Sequence, residues 1–141
     1  MDVFVHAAVG AATAHALDLP PWAGAVLAAA PDAVLGAVRG KPTAPPSIAY
    51  NATHSLLFTL TLALVLTAAL GSPWGVLGAL CHLSHLLLDM PTHNSRWAPP
   101  LCYPFFPARF SLSIRDQEWE FFNLAWAHGA AWATVWIVLC L

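Results

Sequence analysis

The sequence predicts an all-α fold, an integral membrane bundle of about five hydrophobic helices. Of its 141 residues, 59% are hydrophobic and only 9% are charged, whereas about 25% of the residues in a soluble domain are charged. The apolar residues form long stretches without the alternation that is typical of strands. These stretches are separated by segments with proline or glycine, which mark turns. The length suits a single domain over residues 1–141.

The predicted helices are these apolar stretches, in order along the chain. The first is the shortest, so it can also be tilted or re-entrant. The others are long enough, or nearly so, to cross a hydrocarbon core of about 30 Å. A long loop rich in proline and aromatic residues precedes the last helix. The five stretches cover residues 3–17, 22–38, 54–70, 74–90 and 119–141.

The charges predict an orientation and exclude one class of partner. If all five helices span the membrane, every lysine and arginine lies on the side that also holds the N-terminus. By the positive-inside rule this side is cytoplasmic. A formal net charge of -2 gives no basic footprint for nucleic acid. The basic residues are Arg39, Lys41, Arg96, Arg109 and Arg115.

The segment from Cys81 to His93 carries the strongest functional signal. An ionisable side chain at bilayer depth costs about 2.5 to 3.5 kcal/mol, so a group of them needs a partner such as a metal ion. His82, His85 and Asp89 have i, i+3 and i+7 spacing, which places them on one helix face. We interpret His85 and Asp89 as metal ligands, the alternative being a hydrogen-bonded pair. His82, Thr92 and His93 are further candidates, as ligands or as supports for a ligand.

Three more polar residues fall at the same predicted depth, on other helices. They are His6, Asp32 and His54. Residues from several helices can build a metal site inside a bundle. Asp32 can instead cap a helix, and either histidine can be interfacial. His15 and His128 fall elsewhere, and we leave them out of the site.

Imidazole and carboxylate ligands favour zinc, with manganese or iron as alternatives. The three cysteines share no CxxC spacing, which argues against a disulfide framework and against a thiolate zinc knuckle. Without cysteine in the ligand set, a catalytic metal site is favoured over a structural one.

The ordered motifs Pro31-Asp32, Thr53-His54-Ser55 and Ser84 to His93 resemble the YdjM-like family of bacterial membrane-bound metal-dependent hydrolases. Tyr103-Pro104-Phe105 is similar to that family's aromatic-proline motif. The resemblance implies an inner-membrane enzyme, distantly related to zinc-dependent phospholipase C, with one to three zinc ions. It also implies metal ligation by His6, Asp32, His54, His85 and Asp89.

The sequence departs from this family in one place. Many relatives carry His-Arg shortly before Thr-His-Ser, where this chain has Ala49-Tyr50. One ligand and one phosphate-binding cation are therefore missing at that position. His82 or His93 can replace the ligand. The cation can come from Arg96, Arg109 or Arg115.

The expected function is metal-dependent hydrolysis of a phosphoester at the cytoplasmic face. Membrane lipid is then both the solvent and the expected substrate, although another amphiphile also fits. Asp32 or Asp89 is the expected general base. Aromatic residues of the long loop can lie at headgroup level and admit a lipid.

Three alternatives belong to other classes. The first is a non-enzymatic metal-binding membrane protein, either a transporter or a sensor. The second is a haem protein with His82 and His128 as axial ligands, and the third is a purely structural membrane protein. Clustering of the polar residues on one side favours catalysis over transport.

Overall fold

The computed structural model describes residues 3–38, 46–93 and 95–112 and confirms the all-α class. The described residues form five helices and no strand. Residues 95–112 form a loop after the last of them. The predicted helix over residues 119–141 lies outside the described part of the chain. The helices are α1 (Val3–Ala16), α2 (Pro21–Val38), α3 (Ile48–Thr53), α4 (Leu56–Leu70) and α5 (Ser72–Thr92).

The third predicted helix differs from the structure at its beginning. Two serines each accept a backbone hydrogen bond three residues ahead, as helix N-caps do. Ser47 caps the short helix α3 through Tyr50, and Ser55 caps α4 through Phe58. The chain therefore turns between α3 and α4, and His54 lies in that turn instead of opening a long helix.

Helices α1 and α2 pack closely through glycine. Gly10 and Gly24 face each other, and a Cβ atom built on either one would overlap the carbonyl oxygen of the other. Ala14 and Ala28 beside them are completely buried. This close approach brings the polar residues of α1 and α2 to the same region of the bundle.

Helix α5 is the centre of the described bundle, since it packs against α1, α2 and α4. It joins α4 at Gly71, whose φ of 95° suits a residue without a side chain. Leu77 and Cys81 of α5 are fully buried and form a core with alanines of α1 and α2. The remaining faces of α5 carry the candidate site residues.

Large apolar side chains also cover much of the outer surface, among them Leu60 and Leu64 of α4 and Leu80 and Leu87 of α5. Within the described ranges, no helix combines the length and the apolarity that a membrane crossing requires. The membrane-spanning arrangement of the bundle therefore stays a prediction.

We expect the change Gly24→Ala to destabilise the fold. The added methyl group gains helix propensity of about 1 kcal/mol, but it forces α1 and α2 apart, and overpacking typically costs about 1–3 kcal/mol. A fall in thermal unfolding temperature should follow, measured on detergent-purified protein. Ala68→Ser, which adds one atom at an exposed position of α4, is the control and should change little. Equal stability of both variants would contradict the close α1–α2 contact.

Candidate metal centre

Polar side chains from three helices and one turn meet inside the bundle. His6 comes from α1, Asp32 from α2, His54 from the α3–α4 turn, and His85 with Asp89 from α5. Four of these residues each offer one ligand atom, and these atoms all lie within 4.8 Å of one another: Asp32, His54, His85 and Asp89. His6 reaches the same carboxylates. The structure thus brings together all five residues that were predicted as metal ligands.

Helix α5 contributes a row of side chains one turn apart. His85 Nε2 lies 3.2 Å from Asp89 Oδ2, and His93 Nε2 lies 3.3 Å from Asp89 Oδ1. All three side chains are fully buried. Burial lowers the pKa of His93 to about 3, which favours the neutral imidazole that metals bind. Because His93 lies beside Asp89, it belongs to the cluster by position.

The backbone orients two of the imidazoles. His54 Nδ1 lies 3.0 Å from the carbonyl oxygen of Tyr50, and His85 Nδ1 lies 2.8 Å from that of Ala28. A carbonyl oxygen only accepts hydrogen bonds, so Nδ1 carries the proton in each ring. In the neutral rings the Nε2 atoms then keep their lone pairs. A metal-ligating histidine is typically held in this way.

These lone pairs point at each other and at a carboxylate. The two Nε2 atoms of His54 and His85 are 3.2 Å apart, and Asp89 Oδ2 lies 3.7 Å from the first and 3.2 Å from the second. Acceptor atoms buried together repel unless a positive charge lies between them. A proton can bridge one such pair, whereas a metal ion can accept lone pairs from all of them. The donor set therefore fits a divalent metal such as zinc.

His6 is the residue that α1 contributes to the cluster. Its ring stacks on His85 with centroids 3.9 Å apart. Its Nε2 lies 3.1 Å from Asp89 Oδ1 and 3.9 Å from Asp32 Oδ2. His6 thus contacts both carboxylates of the cluster.

His82 occupies a supporting position. Its Nε2 donates to the carbonyl oxygen of Thr53 at 2.7 Å, and its Nδ1 accepts from the Thr59 hydroxyl at 2.7 Å. Both nitrogens of a neutral ring are then used. Because Thr53 precedes His54, this contact fixes the turn that carries a candidate ligand.

Thr92 directs its hydroxyl to the Leu88 carbonyl oxygen, 2.8 Å away on its own helix.

Sequence reasoning missed Tyr50 as part of the site. Its ring stacks on His54 with centroids 3.9 Å apart, and its hydroxyl donates to the carbonyl oxygen of Trp97. Burial, together with the charge of Asp89, raises the pKa of this hydroxyl well above its usual value. The available signal was the i, i+4 spacing of Tyr50 and His54. Tyr50 links the cluster to the loop of residues 95–112.

The candidate phosphate-binding arginines differ in their surroundings. Arg109 is half-buried and donates to the carbonyl oxygen of Ala98 at 2.9 Å and to Asn51 Oδ1 at 2.7 Å. Burial lowers its pKa. Arg109 therefore ties the loop to α3, while other N–H groups of its guanidinium remain available. Arg96 is half-buried in the same loop, and Arg115 lies outside the described residues.

The fold and the cluster define a class: a small helical protein with a buried candidate metal centre of histidine and aspartate. The chain belongs to the YdjM inner membrane protein family, whose family model matches residues 1–141. No curated protein and no solved structure matches the chain significantly. Membership confirms the resemblance to the YdjM family and agrees with the predicted location in the inner membrane. The metal-dependent hydrolase activity and the relationship to phospholipase C stay predictions.

We expect Thr59→Val to weaken the support of the His54 turn. It leaves a buried nitrogen of His82 without its hydrogen bond, which should lower the free energy of unfolding by about 1–3 kcal/mol. If the centre binds zinc, Thr59→Val should also reduce zinc retention, because the turn carries the candidate ligand His54. Thr59→Ser keeps the hydroxyl and should retain zinc as the wild type does. Thermal unfolding and elemental analysis measure the two effects, and equal zinc retention by both variants would count against this role.

Proposed function

We propose that the protein is a metal-dependent hydrolase of the inner membrane that cleaves a phosphoester bond of a lipid or another amphiphile. The observation that carries the proposal is the convergence of ligand atoms from Asp32, His54, His85 and Asp89 within 4.8 Å. Zinc suits these nitrogen and oxygen donors, and manganese or iron are the alternatives.

A zinc ion in this site would lower the pKa of a coordinated water to about 7 and polarise a phosphoryl oxygen. His54 and His85 keep their Nε2 lone pairs directed at the site through backbone hydrogen bonds of their Nδ1 atoms. Asp89 is fully buried among imidazoles, which suits a ligand. The Asp32 side chain remains 8% exposed. Asp32 is therefore the better placed of the two carboxylates to take a proton from water.

The surface of the loop of residues 95–112 is an argument for an amphiphilic substrate. Phe105 and Phe106 are 75% and 67% exposed, so the loop presents apolar surface. The contacts of Tyr50 with Trp97 and of Arg109 with Asn51 hold this loop beside the cluster. A guanidinium fork matches phosphate oxygens, so the arginines of the loop suit a phosphate headgroup. The distribution of lysine and arginine among the predicted loops favours the cytoplasmic face as the location of the site.

The rival proposal is a metal-binding membrane protein without catalysis, such as a transporter or sensor. A transport path requires polar residues in a line across the membrane. Among the described residues, the candidate ligands instead form a single group inside the bundle. His15 is exposed at the other end of α1, about 13 Å along the helix from His6. This clustering favours an enzyme.

Metal content tests the centre itself. Elemental analysis of detergent-purified wild type, after dialysis, should find zinc bound to the chain. His85→Ala and Asp89→Asn each remove a ligand and should lower zinc affinity by more than the roughly 10-fold to 100-fold lost with a supporting residue. His15→Ala removes an exposed histidine and is the matched control, which should retain the wild-type content. Equally little metal in the wild type and in both ligand variants would refute the proposal.

Hydrolysis tests the activity. We expect release of phosphate-containing headgroups from phospholipid in mixed micelles. A chelator should abolish this release, and added zinc should restore it, because the metal activates the water. His15→Ala should be as active as the wild type. Metal-loaded protein that is inactive on every lipid class would support the non-enzymatic rival, and activity that survives complete removal of metal would contradict the mechanism.

A further inference from the structure

We propose that Tyr50 is a positioning residue that couples the loop of residues 95–112 to the candidate metal ligand His54. The inference rests on the proposed function, in which His54 binds the metal and the loop faces the substrate. It adds a residue outside the ligand set. The role of Tyr50 is to place the loop and the ligand relative to each other.

Tyr50 holds His54 by its backbone and by its ring. Its carbonyl oxygen accepts a hydrogen bond from His54 Nδ1 at 3.0 Å and another from the His54 backbone N–H at 3.0 Å. The two rings stack with centroids 3.9 Å apart and an angle of 23° between their planes. The hydrogen bond fixes the direction of Nε2, and the stack fixes the plane of the imidazole. The orientation of His54 therefore depends on Tyr50.

The same side chain holds the loop. The Tyr50 hydroxyl donates to the carbonyl oxygen of Trp97, and the indole of Trp97 packs edge-on against the tyrosine ring with centroids 5.5 Å apart. Tyr50 is only 1% exposed. Breaking this hydrogen bond would leave the buried hydroxyl without its partner, which is costly. The beginning of the loop is thus fixed relative to the ring of His54.

Two further contacts tie the loop to the chain on both sides of His54. Before it, Asn51 Oδ1 accepts from Arg109 at 2.7 Å. After it, the backbone N–H of Leu56 donates to the carbonyl oxygen of Leu101 at 2.9 Å. A displacement of the loop must therefore disturb the turn that carries His54.

This coupling suits the proposed chemistry. A substrate held by the loop would lie at a fixed distance from the metal centre, and a misplacement of about 1 Å can cost about 100-fold in rate. The competing explanation is that Tyr50 is an ordinary core residue, which stabilises the whole fold and places nothing in particular.

Hydrogen exchange of the backbone amides tests the link without a metal. In full-length, detergent-purified protein, Tyr50→Phe keeps the ring on His54 and removes only the hydroxyl. We expect exchange about 2-fold to 10-fold faster in the loop and at Leu56, the range of one net hydrogen bond, and unchanged exchange in α1 and α2. Tyr103→Phe removes the same atom from a half-buried tyrosine of the loop. It is the matched control and should exchange as the wild type does.

Three results would overturn the positioning role. The first is unchanged exchange in Tyr50→Phe. The second is an equal rise in every helix, which would show that Tyr50 only stabilises the fold. The third is an equal rise in the control Tyr103→Phe. None of them depends on zinc or on activity, so they are separate from a failure of the proposed function.

Zinc and substrate kinetics test the consequence for the site. Zinc should slow exchange in the loop of the wild type, because a bound His54 holds Tyr50 in place, and should slow it less in Tyr50→Phe. Tyr50→Phe should raise KM for phospholipid by about 2-fold to 10-fold at an unchanged kcat, as expected when binding alone is weakened. Loop exchange that bound zinc does not change, or a lower kcat at an unchanged KM, would overturn the coupling. A wild type that binds no zinc would overturn the proposed function, and the metal-free exchange would still decide whether Tyr50 links the loop to His54.

Discussion

The buried carboxylate of Asp89 is the constraint on which the described structure depends. A charge without solvent contact costs several kcal/mol unless positive or hydrogen-bonding partners surround it. Four described imidazoles lie within 3.7 Å of its oxygens. They come from α1, from the α3–α4 turn, from α5 and from its C-cap. These elements must therefore meet at one place.

The packing of the bundle makes this meeting possible. The contact of Gly10 with Gly24 brings α1 against α2. The Ala28 carbonyl oxygen of α2 then orients His85 of α5. His82 reaches α4 through Thr59 and fixes the turn before His54. His85 and the turn that carries His54 are thus each held by a neighbouring element, as pre-organised metal sites require.

The sequence predicted the helical class and the five residues that meet in the cluster, and their role as metal ligands stays a prediction. Apolar stretches show helices, and the spacing of His85 and Asp89 shows a shared face. The α3–α4 turn was missed because its one cap, Ser55, lies directly before the apolar run of α4. The fourth predicted helix ended at residue 90, whereas α5 continues to Thr92 and has His93, a residue of the cluster, as its C-cap. The roles of Tyr50, His82 and Arg109 depend on contacts between segments distant in sequence.

X-ray absorption at the zinc edge of the zinc-loaded protein tests the central claim most directly, because it identifies the atoms bound to the metal. A buried centre of histidine and aspartate predicts nitrogen and oxygen ligands at about 2.0–2.2 Å, with the scattering pattern of imidazole rings. Sulfur at about 2.3 Å would indicate binding by cysteine instead. Either that result or a shell of water alone would contradict the account.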